Sequence, residues 1–308
     1  MKLIVDISRY QESIDAKILK EAGVEMVVVK SSSGSREDPF YRRHAEAVLE
    51  GGLKLGAYHW VDPIESTAKQ TDAFFVIAGL YPLTVVWNDF EQWWSNWGEW
   101  YTNGIKAGRW AAVKAFGGSR ISDAGRTFNE LVKAAGYDVH TYTSAGFVRE
   151  HSPQSANWMK DYPVVAANYP RFGSATNWEQ FWKVIAPEVE KQKPVIPLGT
   201  TKLSAWQFTG DRYLLPGTYR DPNKRYLSAI DLSVMYDPPI DLSKPEPAVP
   251  DTFLYQMVVK AYALTVRNLP NGAAVRYVRK GDKVNIYEEF GAWVRIGQGE
   301  WVVKKWLG

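Results

Sequence analysis

The strongest constraint on the fold is a regular alternation of short apolar stretches with longer amphipathic stretches, several of which end in glycine. The first kind is typical of β-strands and the second of helices, so the alternation predicts parallel βαβ units. Seven or eight strands in about 235 residues favour a closed barrel over an open sheet. We therefore expect an α/β fold, an irregular (β/α) barrel of the TIM type. The predicted strands are 2–8, 26–32, 54–60, 84–91, 138–144, 162–169 and 203–209, and the predicted helices are 15–23, 40–52, 66–79 and 122–136, the last capped by Ser122.

The composition changes beyond residue 237. Residues 238–250, PPIDLSKPEPAVP, contain five prolines and predict a stiff, extended linker. From 251 to 308, short alternating stretches are separated by the turn sequences PNG, KGD, FGAW and GQGE, which predict a small all-β barrel. We therefore expect a first domain over 1–237, a linker over 238–250 and a second domain over 251–308.

Composition excludes several classes of protein. The 308 residues are 45% hydrophobic and 23% charged, an ordinary globular mixture. They contain no apolar run of about 18 residues and no signal-peptide pattern. The absence of cysteine excludes disulfides and thiol catalysis. The formal net charge of +3 is too small to argue for a nucleic-acid partner, although 251–308 has nine basic and five acidic residues, or about +4.

An acidic pair lies in an otherwise apolar strand, VVWNDFEQWW. Alternate side chains of a strand share a face, so Trp87, Asp89 and Glu91 are expected to point the same way. The chain has 14 tryptophans, which either fill a core or offer flat faces on which sugars stack. The tryptophans near the acidic pair are Trp87, Trp93, Trp94, Trp97, Trp100 and Trp110.

Four acids follow or end predicted strands. Because reactive groups of parallel barrels lie at the carboxyl ends of strands, Asp6, Asp89, Glu91 and Asp231 are expected to meet at one mouth, with Asp231 following the last strand. Their repulsion and apolar neighbours raise the pKa of at least one carboxyl, which then serves as a general acid. Glycoside hydrolysis needs one protonated and one ionised carboxyl group, but the spacing leaves retaining and inverting geometry open.

Other chemistries have less support. The four histidines show no HExxH spacing, and no GxSxG elbow or GxGxxG loop is present, so we expect neither a metal nor another cofactor. For each acid the alternative is a structural role as a turn residue, a cap or an exposed strand pair.

The ordered motifs of residues 3–237 resemble those of the glycoside hydrolase family 25 lysozymes, the Chalaropsis-type muramidases. The resemblance implies hydrolysis of the β-1,4 bond between N-acetylmuramic acid and N-acetylglucosamine in peptidoglycan. It implies Glu91 as proton donor, Asp89 as stabiliser of the developing positive charge, and Asp6 and Asp231 as supporting acids. The motifs are DISRYQ (6–11), the stretch 27–60 that ends in GAYHW, DFE (89–91), HTYTSAGF (140–147), AANY (166–169), SAWQFTG (204–210) and IDLSVM (230–235). The substrate-binding candidates are Tyr58, His59, Trp87, Trp93, Tyr142, Tyr169, Trp206 and Gln207.

The tail, 251–308, resembles a bacterial SH3 domain through LTVRNLPNG, VRKGDKVNIYE and WVRIGQGEWVVKKWL. Such domains bind cell-wall peptides or glycans, and the candidate contacts are Tyr255, Tyr262, Trp293 and Trp301. This layout predicts a phage or prophage endolysin that is made in the host cytoplasm without a signal peptide and acts on the wall; a bacterial autolysin fits nearly as well. Two alternatives are a glycan-binding protein without activity and another barrel glycosidase such as a chitinase.

Overall fold

A closed barrel of eight strands dominates the computed structural model, which describes residues 1–92, 117–243, 253–268, 270 and 274–308. The first strand of the barrel pairs with both its second and its eighth strand, and these pairings close the sheet into a barrel. The barrel strands are β1 (Lys2–Ile7), β3 (Val24–Ser33), β5 (Lys54–Trp60), β6 (Val85–Asp89), β7 (Val139–Ser144), β8 (Pro163–Ala167), β9 (Lys202–Tyr219) and β10 (Leu227–Asp241), with two short additions, β2 (Ser13–Ile14) on β9 and β4 (Arg36–Glu37) on β3.

The predicted α/β barrel is confirmed, with one strand reversed. Seven strands run parallel, whereas β10 is antiparallel to both of its neighbours, β9 and β1. A short connection joins β9 to β10, and such a hairpin needs no crossover helix. Asp231 therefore lies inside β10 rather than after the last strand, and it is the direct cross-strand partner of Asp6.

Helices cover the outside of the barrel, and their starts follow local capping. Asp15 and Ser66 each accept a backbone hydrogen bond at a helix start, as Ser144 does. The predicted Ser122 cap is wrong, because the helix begins at Gly117 and the Ser122 hydroxyl accepts a hydrogen bond from Trp158 Nε1 (2.9 Å). The helices are α1 (Ala16–Glu21), α2 (Tyr41–Glu50), α3 (Thr67–Ala78), α4 (Gly117–Ala134), α5 (Ala145–His151), α6 (Ala156–Met159), α7 (Trp178–Gln180) and α8 (Ala186–Glu190), with 3₁₀ turns at Pro153–Ser155 and Lys304–Trp306 and a π turn at Phe181–Ile185. No described helix is both long and apolar enough to cross a membrane.

Two separate apolar layers hold the barrel. A large layer lies between strands and helices, and a smaller one fills the barrel interior. Along β6 the alternation is visible directly, since Val85 and Trp87 belong to the interior and Val86 to the outer layer. Asp89 continues the inward row and so reaches the carboxyl end of the barrel.

The tail forms two small sheets around a core of its own. This confirms the predicted all-β character. Residues 238–241, predicted to be linker, belong to β10, and Ile240 and Asp241 pair with β9; residues 244–252 lie outside the described residues. The tail strands are β11 (Tyr255–Val258), β12 (Ala263–Arg267), β13 (Ala274–Arg279), β14 (Lys283–Ile286), β15 (Glu288–Phe290), β16 (Trp293–Gly297) and β17 (Glu300–Val303).

Candidate functional site

Four acidic side chains line one pocket of about 150 Å³ at the carboxyl end of the barrel. Asp6 and Asp231 come from the adjacent strands β1 and β10. Asp89 is the last residue of β6, and Glu91 follows two residues later. The structure thus brings together all four acids that the sequence predicts to meet. Aromatic side chains complete the walls, including Tyr58, Trp87 and Tyr142, with Trp87 and Tyr142 stacked at a centroid distance of 6.2 Å.

The residue between the two acids anchors them. Phe90 is buried on the outer side and makes edge contacts with Phe147 and Trp158, at centroid distances of 5.2 and 5.5 Å. Its backbone N–H donates to the carbonyl of Tyr142 (2.9 Å), and the carbonyl of Asp89 accepts from Val61 N (3.3 Å). These contacts hold the chain in position where it leaves the strand, so Asp89 and Glu91 both stay in the pocket.

Burial raises the pKa of every carboxyl group in the cluster. The pKa of Glu91 rises to about 7, chiefly through burial, with the charge of Asp231 adding and that of Lys30 opposing. Burial and then the charge of Glu91 raise the pKa of Asp89 well above its usual range. For Asp6, burial and then the charge of Asp231 do the same. Repulsion therefore contributes as expected, but loss of water is the larger cause.

Asp231 is less perturbed. Its pKa rises to about 6, mainly through burial and the charge of Asp211, while a hydrogen bond from Asp211 N (2.9 Å) opposes the rise. A carboxyl group with a pKa of about 7 holds a proton at neutral pH and can release it during a reaction, so the cluster can act as an acid. Among the described residues no group of three His, Asp or Glu side chains is arranged to hold a metal ion.

A chain of hydrogen bonds connects the acids to the rim. Gln207 donates from Nε2 to Asp6 (2.9 Å), and its amide oxygen accepts from the hydroxyl of Tyr142 (2.8 Å) and from that of Tyr169. The side chain of Tyr169 is 53% exposed, so it lies where a ligand entering the pocket would meet it. Tyr58, Trp87, Tyr142, Tyr169 and Gln207 are thus the predicted substrate-binding residues that the structure brings together.

A family model fits this barrel over most of the chain. The model described as glycosyl hydrolases family 25 matches residues 5–217, which contain three of the four acids. The chain belongs to this family. It is 26% identical over 166 residues to the autolytic lysozyme of Clostridium acetobutylicum, a match that covers 54% of this chain and 44% of that protein. The chain therefore spans less than half the length of this curated relative.

Solved structures share the fold of this family 25 chain. The CTP1L endolysin superposes with a TM-score of 0.53 at 23% identity, covering 77% of this chain and 67% of that one. The bacterial lysozyme of Streptomyces coelicolor gives a TM-score of 0.54 at 18% identity, covering 76% and 91%. At these identities the likeness shows the shared barrel.

Two predicted substrate-binding residues of the family 25 barrel lie on the outer side of the barrel sheet, away from the acid pocket. His59 is fully buried between strands and helices, with Nδ1 at 2.8 Å from Ser32 Oγ and its ring stacked on Phe128 at 4.5 Å. Trp206 is also fully buried in that layer, and its Nε1 donates to the carbonyl of Asn168 (2.8 Å). Neighbours on a strand face opposite sides, so Tyr58 and Gln207 enter the site while His59 and Trp206 cannot. Trp93 lies outside the described residues.

Sequence reasoning missed a cation in the pocket of this family 25 barrel. Lys30 lies on the inward row of β3 after Met26 and Val28, and its ammonium is 4.1 Å from the ring centroid of Trp60. Burial lowers the pKa of Lys30, and the charge of Asp89 opposes this most. A lysine in the apolar run MVVVKSS was the signal that could have revealed it.

The predicted wall-binding residues of the tail differ in how far they are exposed to solvent. Tyr262 is 91% exposed, and Tyr255 and Trp293 are partly buried. Trp301 is 1% exposed and packs edge-on against Phe290, so it cannot contact a wall ligand from this position. The ring also lies beneath Lys193 of the first domain, whose ammonium is 5.9 Å from the ring centroid, so the indole is buried where the barrel contacts the tail.

Proposed function

We propose that this chain is an N-acetylmuramidase that hydrolyses the β-1,4 bond between N-acetylmuramic acid and N-acetylglucosamine in bacterial peptidoglycan. The observation that carries the proposal is Glu91, with a pKa of about 7, beside Asp89 in an aromatic pocket of a family 25 barrel. Membership of that family and the similarity to an autolytic lysozyme support the reaction class.

Each acid has a role in this reaction. Glu91 donates its proton to the glycosidic oxygen, which makes the leaving sugar a better leaving group. Asp89 stabilises the positive charge that develops on the other sugar, either directly or by orienting the substrate's acetamido group. Water then bonds to the anomeric carbon and gives a proton to the Glu91 carboxylate, which restores the acid. Asp6 and Asp231 are supporting acids at the same mouth, and Gln207, itself held by Tyr142, fixes the position of Asp6.

We further propose that the tail is an SH3-like wall-binding domain over 251–308, joined by a linker over 242–250 to a catalytic domain that ends with β10 at Asp241. Tyr255, Tyr262 and Trp293 remain its candidate contacts. With this layout, and with an endolysin sharing its barrel fold, the chain is best explained as a phage or prophage endolysin that is made in the host cytoplasm and acts on the wall.

Product analysis tests the proposed bond. Purified peptidoglycan is digested, the new reducing ends are reduced with borohydride, and the fragments are analysed by mass spectrometry. We expect muramitol at the new ends, and glucosaminitol would contradict the bond assignment. Glu91→Gln, which removes the transferable proton, should lower turnover by about 10²–10⁴-fold, whereas Glu130→Gln on the exposed face of α4 should leave it unchanged.

The same experiment separates the alternatives. A binding protein without activity would sediment with walls but release no reducing ends in the wild-type form. A chitinase would release ends from chitin and none from peptidoglycan.

A further inference from the structure

A second, larger groove adjoins the acid pocket. Its volume is about 660 Å³, within the usual range of about 300–1,000 Å³ for small-molecule sites. Ser8, Tyr10, Lys30 and Trp60 line both spaces, so a ligand in the acid pocket can extend into the groove. The exposed ring of Tyr10 lies at the rim, 73% accessible.

The carboxylates of this groove already have hydrogen-bond donors within the protein. All four accept hydrogen bonds from neighbouring chain segments, which orders the loops that form the walls. The donors are Arg42 Nε and Nη2 to Glu37 (2.7 and 3.2 Å), the backbone N–H groups of Arg9 and Phe40 to Asp38 (3.3 and 3.0 Å), Ile64 N to Asp62 (2.8 Å) and Ser35 N to Glu65 (2.9 Å).

Two arginines of the groove differ from these carboxylates in having no such partner among the described residues. Arg9 and Arg36 are both exposed, and within the described part of the chain neither guanidinium is in an ion pair, although the charge of Arg36 acts on Asp62. Arg9 lies over the ring of Tyr10, at 5.5 Å from its centroid. Lys30 stands nearby: burial is the main cause of its lowered pKa, and the charge of Arg9 adds to the effect.

The guanidinium groups of Arg9 and Arg36 therefore remain available as charged donors, although the charges of the groove nearly balance. With Arg42 included, four acids face four cations, so the groove has little net charge with which to attract anions indiscriminately. Arg offers a planar pair of donors that matches a carboxylate, and two such groups remain available. This pattern favours a ligand that carries a few carboxylate groups and is otherwise uncharged.

We propose that this groove binds carboxylate groups of the peptide attached to N-acetylmuramic acid, through Arg9 and Arg36. The inference rests on the proposed function, because in peptidoglycan that peptide hangs from the very sugar whose bond is cut. A substrate seated in the acid pocket must place the peptide in an adjoining space. The groove thus makes peptide-bearing glycan a better substrate than bare glycan.

Matched substrates test the assignment. One soluble glycan fragment carries peptides with free carboxylates, and the other is the same fragment after its carboxylates are amidated. We expect Arg9→Gln and Arg36→Gln each to raise KM for the charged fragment by about 1.4- to fivefold, the range for a solvent-exposed ion pair. KM for the amidated fragment and kcat for both should stay near wild type.

Two controls sharpen the result. Arg126→Gln removes an exposed arginine that pairs with Asp123 on α4, outside both spaces, and should leave both KM values unchanged. The preference of the wild type for the charged fragment should shrink between about 0.05 and 0.5 M salt, because screening shortens the reach of exposed charges.

The outcomes are distinct. An equal rise of KM on both fragments, or none on either, would overturn the carboxylate site while the muramidase proposal stands. Failure of the wild type to cut either fragment or whole walls would instead contradict the proposed function.

Discussion

At the scale of single residues, Lys30 opposes the effect that burial has on the acids. Its charge lowers the pKa of both Asp89 and Glu91, while burial raises them. In the proposed mechanism Asp89 must be ionised and Glu91 protonated at the same pH, and a cation that lowers both pKa values moves that pH range to lower pH.

Replacement of Lys30 should therefore shift the pH dependence of the reaction. In Lys30→Met both pKa values rise, so both limbs of the kcat profile should move to higher pH by about one unit, the lower end of the effect of a nearby opposite charge. Lys30→Arg keeps the charge and should restore the wild-type limbs. A lower kcat with unmoved limbs would show that Lys30 only supports the structure.

Glu91 also makes the folded state less stable at neutral pH than it would otherwise be. Its pKa is about 7 in the folded chain against 4.5 for an ordinary glutamate, so the folded state disfavours the ionised form. Below pH 4.5 the group is protonated in both states and costs nothing. As pH rises from 4.5 to about 7 the unfolded chain loses this proton first, and folding stability falls.

Glu91→Gln should consequently stabilise the fold, and by more at pH 8 than at pH 4. The neutral amide cannot ionise, so the gain should grow through that interval to about 3.5 kcal/mol at most, since each pKa unit corresponds to about 1.4 kcal/mol. Urea unfolding of both proteins at the two pH values measures it. A gain that is independent of pH would contradict burial of this carboxyl group.

Strand alternation predicted the direction of Asp89 but could not distinguish Tyr58 from His59. A barrel strand is covered on both its inner and its outer side, so both residues of β5 are shielded from solvent. Its sequence therefore lacks the alternation of apolar and polar residues that would show which side chain points inward. What selects the outer side for His59 is a pair of partners far along the chain, Ser32 and Gln70. Such partners become visible only after folding.

At the scale of elements, the order of strands and helices was predictable, and the reversal of β10 was not. Its apolar sequence is compatible with either direction, and the short hairpin from β9 decides the direction. The reversal matters for the site, since it sets Asp231 opposite Asp6 by cross-strand pairing. Ser122 illustrates a similar limit, because a capping residue type inside a helix formed a tertiary hydrogen bond instead.

Helix α4 approaches the acidic segment through a glycine. A Cβ atom at Gly125 would lie 2.6 Å from the ring of Phe90, the residue between Asp89 and Glu91. Alanine favours a helix over glycine by about 1 kcal/mol, but overpacking of a core costs about 1–3 kcal/mol. We therefore expect Gly125→Ala to be destabilising overall and to lower kcat, because Phe90 must move.

Gly146→Ala is the matched control for this contact. It also lies in a helix, and its added Cβ would have no neighbour nearer than 4.0 Å, so stability and kcat should be maintained or slightly improved. Thermal unfolding and steady-state rates compare the two variants. If Gly125→Ala proved as stable and active as wild type, close packing of α4 on Phe90 would not be what positions the acids.

At the scale of the whole molecule, the barrel and the tail have separate apolar cores. The tail cluster consists of residues from Val259 to Leu307, and none of them belongs to the two barrel clusters. Each core can therefore be buried without the other, although Lys193 of the barrel domain lies over Phe290 and Trp301 of the tail, at 5.4 and 5.9 Å from their ring centroids. The proposed roles, cleavage by the barrel and wall binding by the tail, can therefore be tested separately.

Deletion of 251–308 should weaken attachment to insoluble walls and spare cleavage of small soluble fragments. A tethered binding domain raises the local concentration of the catalytic barrel at the wall, so its loss should reduce wall affinity by about tenfold or more. A soluble fragment offers no second attachment, so its kcat/KM should change by less than about twofold, within the error of independent sites. Co-sedimentation with walls measures the first quantity and reducing-end release from fragments the second.

Equal losses in both would mean that the tail supports the catalytic barrel itself. Tyr262→Ala in the full chain separates these outcomes, because it alters only an exposed side chain and should reproduce part of the loss in wall affinity alone.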